Sequence, residues 1–317
     1  MVFTSQVMEM KKFQNKKSRR KEFHQLRQES KKRKGQYVQK IIQAGPKLIT
    51  RKYITGRIGS KDAKRKRIKP TTETVMKWQD KRACDKVEEL LLTNFKPGDL
   101  WCTFTLPPAS TPTADDLKAI QKEFFKELRK YCKKNDIEWK AIGQWGIGKR
   151  GNAHLHLVLP QMDSGVVEAF WQDIVGTEKC PYPRVNTRHL SRDYNWRNLA
   201  DYIVKNGKES FREAKMTKSR YIRTRNLKQP KVEIRIIAAE SWTDKPKPKK
   251  GYVVDYEHIR NDFTITGFPY QEYTQIRADL VAYEREVEKH EERHGDQKGK
   301  NVERKGSRHQ SKNRQVH

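Results

Sequence analysis

The chain has 317 residues, of which 34% are hydrophobic and 34% charged, and its 70 Lys and Arg against 39 Asp and Glu give a formal net charge of +31. A surplus of that size suits a polyanion, because each phosphate neutralised by a cationic side chain releases counterions. No long apolar span or basic helix with bulky anchors favours a membrane, and Cys84, Cys102, Cys132 and Cys180 lie too far apart for a zinc ribbon or a disulfide framework, so nucleic acid is the expected partner.

Residues 1–70 are dominated by Lys and Arg, in runs such as Lys31-Lys32-Arg33-Lys34 and Lys64-Arg65-Lys66-Arg67, with Gly35, Gly45-Pro46 and Gly56 breaking any long helix. This stretch reads as a basic, partly flexible DNA-binding extension, with Arg65 and Arg67 among its contacts. From Thr72 to about Asn94, Val75, Trp78, Ala83, Val87, Leu90 and Leu91 recur at helical steps. The Pro97-Gly98 turn leads to the β-prone run Leu100–Leu106, halted by Pro107-Pro108. A second helix opens at Thr113 as N-cap with Asp116 three residues on, and carries the apolar stripe Leu117, Ile120, Phe124, Leu128 and Tyr131.

A strand over 137–146 then turns through Gly146–Asn152 into Gly151-Asn152-Ala153-His154-Leu155-His156-Leu157-Val158-Leu159-Pro160. Alternation along a strand places His154, His156 and Val158 on one face and Leu155, Leu157 and Leu159 on the other, as core. Two neighbouring imidazoles can bind a divalent cation, or can be two hydrogen-bonded histidines lining a sheet. Lys149 and Arg150, in the turn, are candidate DNA contacts. A helix over 166–175, a strand near 184–187, a helix over 195–206 and a strand at Val232, Ile234 and Ile236 follow. From about residue 287 the composition is that of a disordered tail.

This order predicts an α+β fold: an antiparallel sheet, because its central strands are hairpin-linked, with helices packed on one face. The expected divisions are the extension at 1–70, a main domain at 71–286 and the tail at 287–317. On the helix over 195–206, Tyr202 and Lys205 are neighbours on one face. A tyrosine beside a cation can attack phosphorus, although Tyr-x-x-Lys alone is a weak pattern.

Thr103-Phe104-Thr105-Leu106, His154-Leu155-His156 and Tyr202-Ile203-Val204-Lys205, in that order on a basic chain, resemble the rolling-circle replication initiators of the HUH endonuclease superfamily, of bacterial plasmid and phage type. The resemblance runs from about Thr72 to Arg277. It implies an HUH, ferredoxin-like domain in which His154 and His156 hold Mg²⁺ or Mn²⁺ and Tyr202 attacks single-stranded origin DNA. The products would be a 5′-phosphotyrosine and a free 3′-hydroxyl, with Lys205 partnering the phosphate or the tyrosine. Relatives commonly carry a Glu on the strand before the histidine pair, where this chain has Gln144, so Gln144 is the implied third ligand. Glu138 shares its parity but would lie about 20 Å away along an extended strand.

The positions four before and four after Tyr202 are Asn198 and Asn206, which implies a single-tyrosine mechanism. A single-tyrosine transposase, a relaxase (whose tyrosine generally precedes its histidines) and a non-catalytic DNA-binding protein of the same fold are the competing readings. No Gly-x-x-x-x-Gly-Lys-Ser/Thr signature is present, so a host helicase and a host polymerase are expected partners. The first residues lack the apolar core of a signal peptide, which with the scattered cysteines implies a reducing, bacterial cytoplasmic setting.

Overall fold

A computed structural model of the chain describes residues 36–55, 73–108, 112–148, 152–208, 219–238, 241–263 and 269–281. Arg65, Arg67, Lys149, Arg150 and the tail from 287 lie outside the described residues. In chain order the elements are β1 (Gln36–Ala44), β2 (Lys47–Thr55), α1 (Glu73–Asn94), β3 (Leu100–Thr105), α2 (Ala114–Lys134), β4 (Ile142–Ile147) and β5 (Ala153–Leu159). There follow α3 (Ser164–Val175), β6 (Val185–His189), α4 (Arg197–Lys208), β7 (Ile222–Arg223), β8 (Lys231–Ile236), β9 (Tyr252–Val254), β10 (Arg260–Phe263) and β11 (Pro269–Arg277). None of the described helices is long and apolar enough to cross a membrane.

The fold is α+β with two antiparallel sheets. The first has the order β6-β3-β5-β4-β7. Its strand alternation is the expected one: Leu155, Leu157 and Leu159 on β5 are fully buried and pack with Phe104, Phe124, Leu128 and Trp171 in a core shared with α2 and α3. Phe104, Phe124 and Trp171 meet ring to ring with centroids 4.9–5.2 Å apart. Helix α2 starts at the predicted Thr113, whose hydroxyl accepts from the Asp116 amide while the Asp116 carboxylate accepts from the Thr113 amide, a reciprocal cap.

The helices occupy both faces of this sheet, not one. On the opposite side, Ile142 and Val158 bury against Val87, Leu90 and Leu91 of α1 and Ala200, Ile203 and Val204 of α4. Strand β4 is shorter than the 137–146 expected, because Ile137 closes the end of α2 by donating its amide to the Cys132 carbonyl after Asp136 turns into the left-handed region.

The larger departure is at the N-terminal side. Residues 36–55, read as part of a flexible basic extension, form the hairpin β1–β2 at the centre of a second sheet, ordered β10-β11-β2-β1-β8 with β9 also on β11. Gly45 makes its tight turn at φ +52°, where a Cβ would sit 2.1 Å from the Leu92 carbonyl oxygen at the end of α1. The basic residues of β2 do not face water. Arg51 pairs with Asp85 (3.2 Å) and Glu89 (3.0 Å) of α1 and with Glu272 of β11 (2.5 Å), and Lys81 bridges Asp85 (2.9 Å) and Glu272 (3.1 Å). Asp85 also receives Arg197 of α4 at 2.7 Å, so ion pairs run without a break from β11 to the helix that carries Tyr202.

Candidate active site

The face of the first sheet turned toward α4 holds the site. Register places Thr103 and Gln144 on either side of His156, and Thr105 and Gly146 on either side of His154, so these side chains share one face. Thr103 Oγ1 lies 3.0 Å from His156 Nδ1, and Thr105 Oγ1 lies 3.3 Å from His154 Nδ1. A hydroxyl at Nδ1 fixes the ring and leaves Nε2 as the outward nitrogen on each histidine. Trp101, next on β3, stacks on the His156 ring at 5.6 Å and 14°. The threonine-bearing strand singled out in the sequence is therefore the support of the histidine pair.

Helix α4 lays Tyr202 over this face. The Tyr202 hydroxyl lies 3.3 Å from His156 Nε2, and its ring meets those of His156 and Trp101 edge-on. Tyr202 stays 43% exposed. Asn198 and Asn206, one turn to either side, line the same cleft of about 770 Å³ with His154 and His156. Lys205 is exposed and does not line the cleft.

Burial lowers the affinity of both imidazoles for a proton. His156 is pulled down to about 4 by burial and then by its neighbour His154, and burial lowers His154 as well. Both rings are therefore neutral near pH 7, the state a metal ligand requires. Gly148 leaves room for His154: a Cβ there would come within 2.5 Å of His154 Nε2.

Gln144 is 1% exposed, opposite His156, and neither its amide oxygen nor its amide nitrogen has a hydrogen-bond partner. A buried amide left without partners costs about 1–3 kcal/mol, so the Gln144 oxygen is open to a ligand or a water. Among the described residues no three His, Cys, Asp or Glu cluster as a metal site. Glu138 is excluded: it precedes β4, is exposed, and faces Lys140 at 3.9 Å.

Three residues were not foreseen. Arg184, Asn186 and Arg188, on and beside β6, line the cleft on the histidine face, with Asn186 opposite Thr103 and Arg188 opposite Trp101. In sequence they stand in a short, weakly patterned segment. Only the pairing of β6 with β3 brings them beside the histidines.

Residues 99–208 match the model of a family of replication-associated proteins, the ORF2 type. The matched segment runs from the start of β3 to the end of α4 and includes every side chain of the cleft named above, so the similarity to replication-associated proteins covers four of the five strands of the site-bearing sheet. No curated protein and no solved structure matches the chain.

Proposed function

We propose that the chain is a replication initiator that nicks single-stranded origin DNA through Tyr202. The observation that carries this reading is the placing of the Tyr202 hydroxyl 3.3 Å from His156 Nε2, on an open cleft floored by two neutral histidines. The family match over 99–208 supports the replication role, and the formal charge of +31 supports a nucleic-acid substrate.

In the step proposed, the Tyr202 oxygen attacks phosphorus in line, the P–O3′ bond breaks, and the phenolic proton is released as the 3′ oxygen takes one up. The 5′ phosphate stays on the tyrosine, and the 3′-hydroxyl is free for a host polymerase. His154, His156 and the amide oxygen of Gln144 would hold Mg²⁺ or Mn²⁺, which when bound supplies positive charge to the non-bridging oxygens of the phosphate. With Nε2 on the metal, each Nδ1 would donate its proton to the hydroxyl of Thr103 or Thr105, which would keep both Nε2 atoms turned to the cleft. Arg184 and Arg188 offer cations to the flanking phosphates, and Trp101 forms a flat wall behind His156. Lys205, exposed three residues after Tyr202 on α4 and outside the cleft lining, would partner a phosphate of the bound DNA; Arg65, Arg67, Lys149 and Arg150 are further proposed DNA contacts.

Each chain would supply one tyrosine to this site, so rejoining the displaced strand would need a second chain or a second event. The test mixes the full-length protein with single-stranded fragments of its own element, with Mn²⁺ or with EDTA, and resolves the products on a denaturing gel. A metal-dependent, heat-stable adduct that disappears in Tyr202→Phe and in His154→Ala is the expected result. Tight, salt-sensitive binding with no adduct on any fragment would instead make this a DNA-binding protein that keeps the fold without the chemistry.

A further inference from the structure

Strand β8 is paired on one side only. It hydrogen-bonds to β1 and closes the order β10-β11-β2-β1-β8, and its other edge has no strand beside it among the described residues. All six of its residues are exposed, with Val232 at 48%, Ile234 at 58% and Ile236 at 61%. Glu233 and Arg235 alternate with them on the opposite face. An open edge with an apolar stripe is a template for pairing with another strand.

The backbone phase of β8 restricts what can pair with it. The Ile237 amide donates to the Tyr37 carbonyl at 2.9 Å, in register with the pairs Val38–Ile236 and Lys40–Ile234. In an antiparallel ladder, residues alternately direct both backbone groups to one neighbour and then to the other. Residues 233, 235 and 237 therefore face β1, and Val232, Ile234 and Ile236 direct their N–H and C=O groups outward, away from β1, to an edge with no strand beside it among the described residues. An incoming strand must match this phase.

A second β8, running antiparallel, can match it only with a residue on the twofold axis. Centring on Glu233 sets Glu233 against itself and Lys231 against Arg235. Centring on Arg235 opposes two arginines. Centring on Val232 brings Pro230, which has no N–H, opposite Ile234. Centring on Ile234 removes every conflict within β8 and leaves Pro230 outside the paired strand: Ile234 meets its own copy, Val232 meets Ile236, and Glu233 meets Arg235 twice on the other face. Those ion pairs fall at the sites where side chains approach most closely.

We propose that β8 is a self-association edge, which docks a second copy of this chain antiparallel about Ile234 and extends one sheet across both copies. The inference rests on strand register and charge, independent of the nicking chemistry.

Sedimentation velocity on the full-length, nuclease-treated protein over a concentration series tests it without DNA. The wild type is expected to dimerise, and Ile234→Lys, which opposes two cations on the axis, to be monomeric with an unchanged circular dichroism melt. Glu233→Arg and Arg235→Glu should each weaken dimerisation about tenfold or more. The double variant Glu233→Arg/Arg235→Glu restores the opposed charges and should restore the dimer. The proposal is overturned by a wild type that stays monomeric, by a dimer indifferent to Ile234→Lys, or by a double swap no better than either single. A monomer whose melt drops in Ile234→Lys would also overturn it, and would mean that another segment of the same chain covers the edge. Should Ile234→Lys fail to fold, the charge-swap set decides alone.

Discussion

The site-bearing sheet β6-β3-β5-β4-β7 is held between helices by leucine, phenylalanine and tryptophan, whereas β10-β11-β2-β1-β8 meets α1 at the small Ala44 and, along β2 and β11, through Arg51, Lys81 and the carboxylates of Asp85, Glu89 and Glu272. The first set of contacts is non-directional and indifferent to salt and mild acid. The second depends on each cation meeting its carboxylate in a specific geometry, and its net stabilisation is small unless every charge is matched. One sheet therefore gives the histidines a rigid floor, and the other is joined to the tyrosine helix through charges.

The comparison can be broken most directly at Phe104. Phe104→Ala removes a fully buried ring in contact with Phe124 and Trp171, and should cost about 3–5 kcal/mol in chemical denaturation, with little change between low and high salt. Arg51→Ala should cost about 3 kcal/mol, because it leaves three carboxylates without their common partner, and Arg51→Met combined with Glu272→Gln should recover part of the loss. A salt-independent loss in Arg51→Ala would show that packing, not charge, joins the sheets.

Acid should separate the two regions next. His156 is held at about 4 against an ordinary value of 6.5. The stability it contributes as a neutral group is complete above pH 6.5 and is lost as pH falls through 4. Burial alone would raise the Glu272 carboxyl, but Lys81 and then Arg51 outweigh it and hold the group at about 2 against 4.5. Its contribution is complete above pH 4.5 and is lost as pH falls through 2. Denaturation midpoints measured against pH should thus fall in two stages, with the upper one missing in His156→Gln and the lower one in Glu272→Gln. The smallest effect belongs to the solvent-exposed pair Glu73–Lys77 at the start of α1, where Lys77→Ala should leave the midpoint unchanged within error.

The same contrast explains what could be read from the residues alone. Alternation along Leu155, Leu157 and Leu159, the Thr113 cap and the stripe on α2 announce the first sheet and its helices, because apolar periodicity reports burial locally. His154, His156 and Tyr202 were singled out for a different reason: alternation and helical spacing gave only their shared faces, and the three ordered motifs of the family resemblance gave them expected roles. The hairpin β1–β2 was hidden because Lys47, Lys52 and Arg51 read as solvated charge. The Arg51 partner Glu272 lies 221 residues away in sequence, and no local pattern records such a pairing. Arg184 and Arg188 were hidden likewise, since only strand pairing carries them to the histidine face.

The ion-pair chain through Arg51 also sets where this protein can be cut. Trimming at the start of α1, where the basic composition gives way to helical pattern, would strip β1 and β2 out of a hydrogen-bonded sheet and leave β8 and β11 as strands with no neighbour between them. Asp85 would keep Lys81 and Arg197, while Glu89 would lose the one ion-pair partner described for it. The shortest piece that retains every one of these pairings begins at residue 36 and runs past Glu272 to the end of β11. A minimal piece for binding or structural work should be drawn to those limits, not to the 99–208 segment that matches the family model.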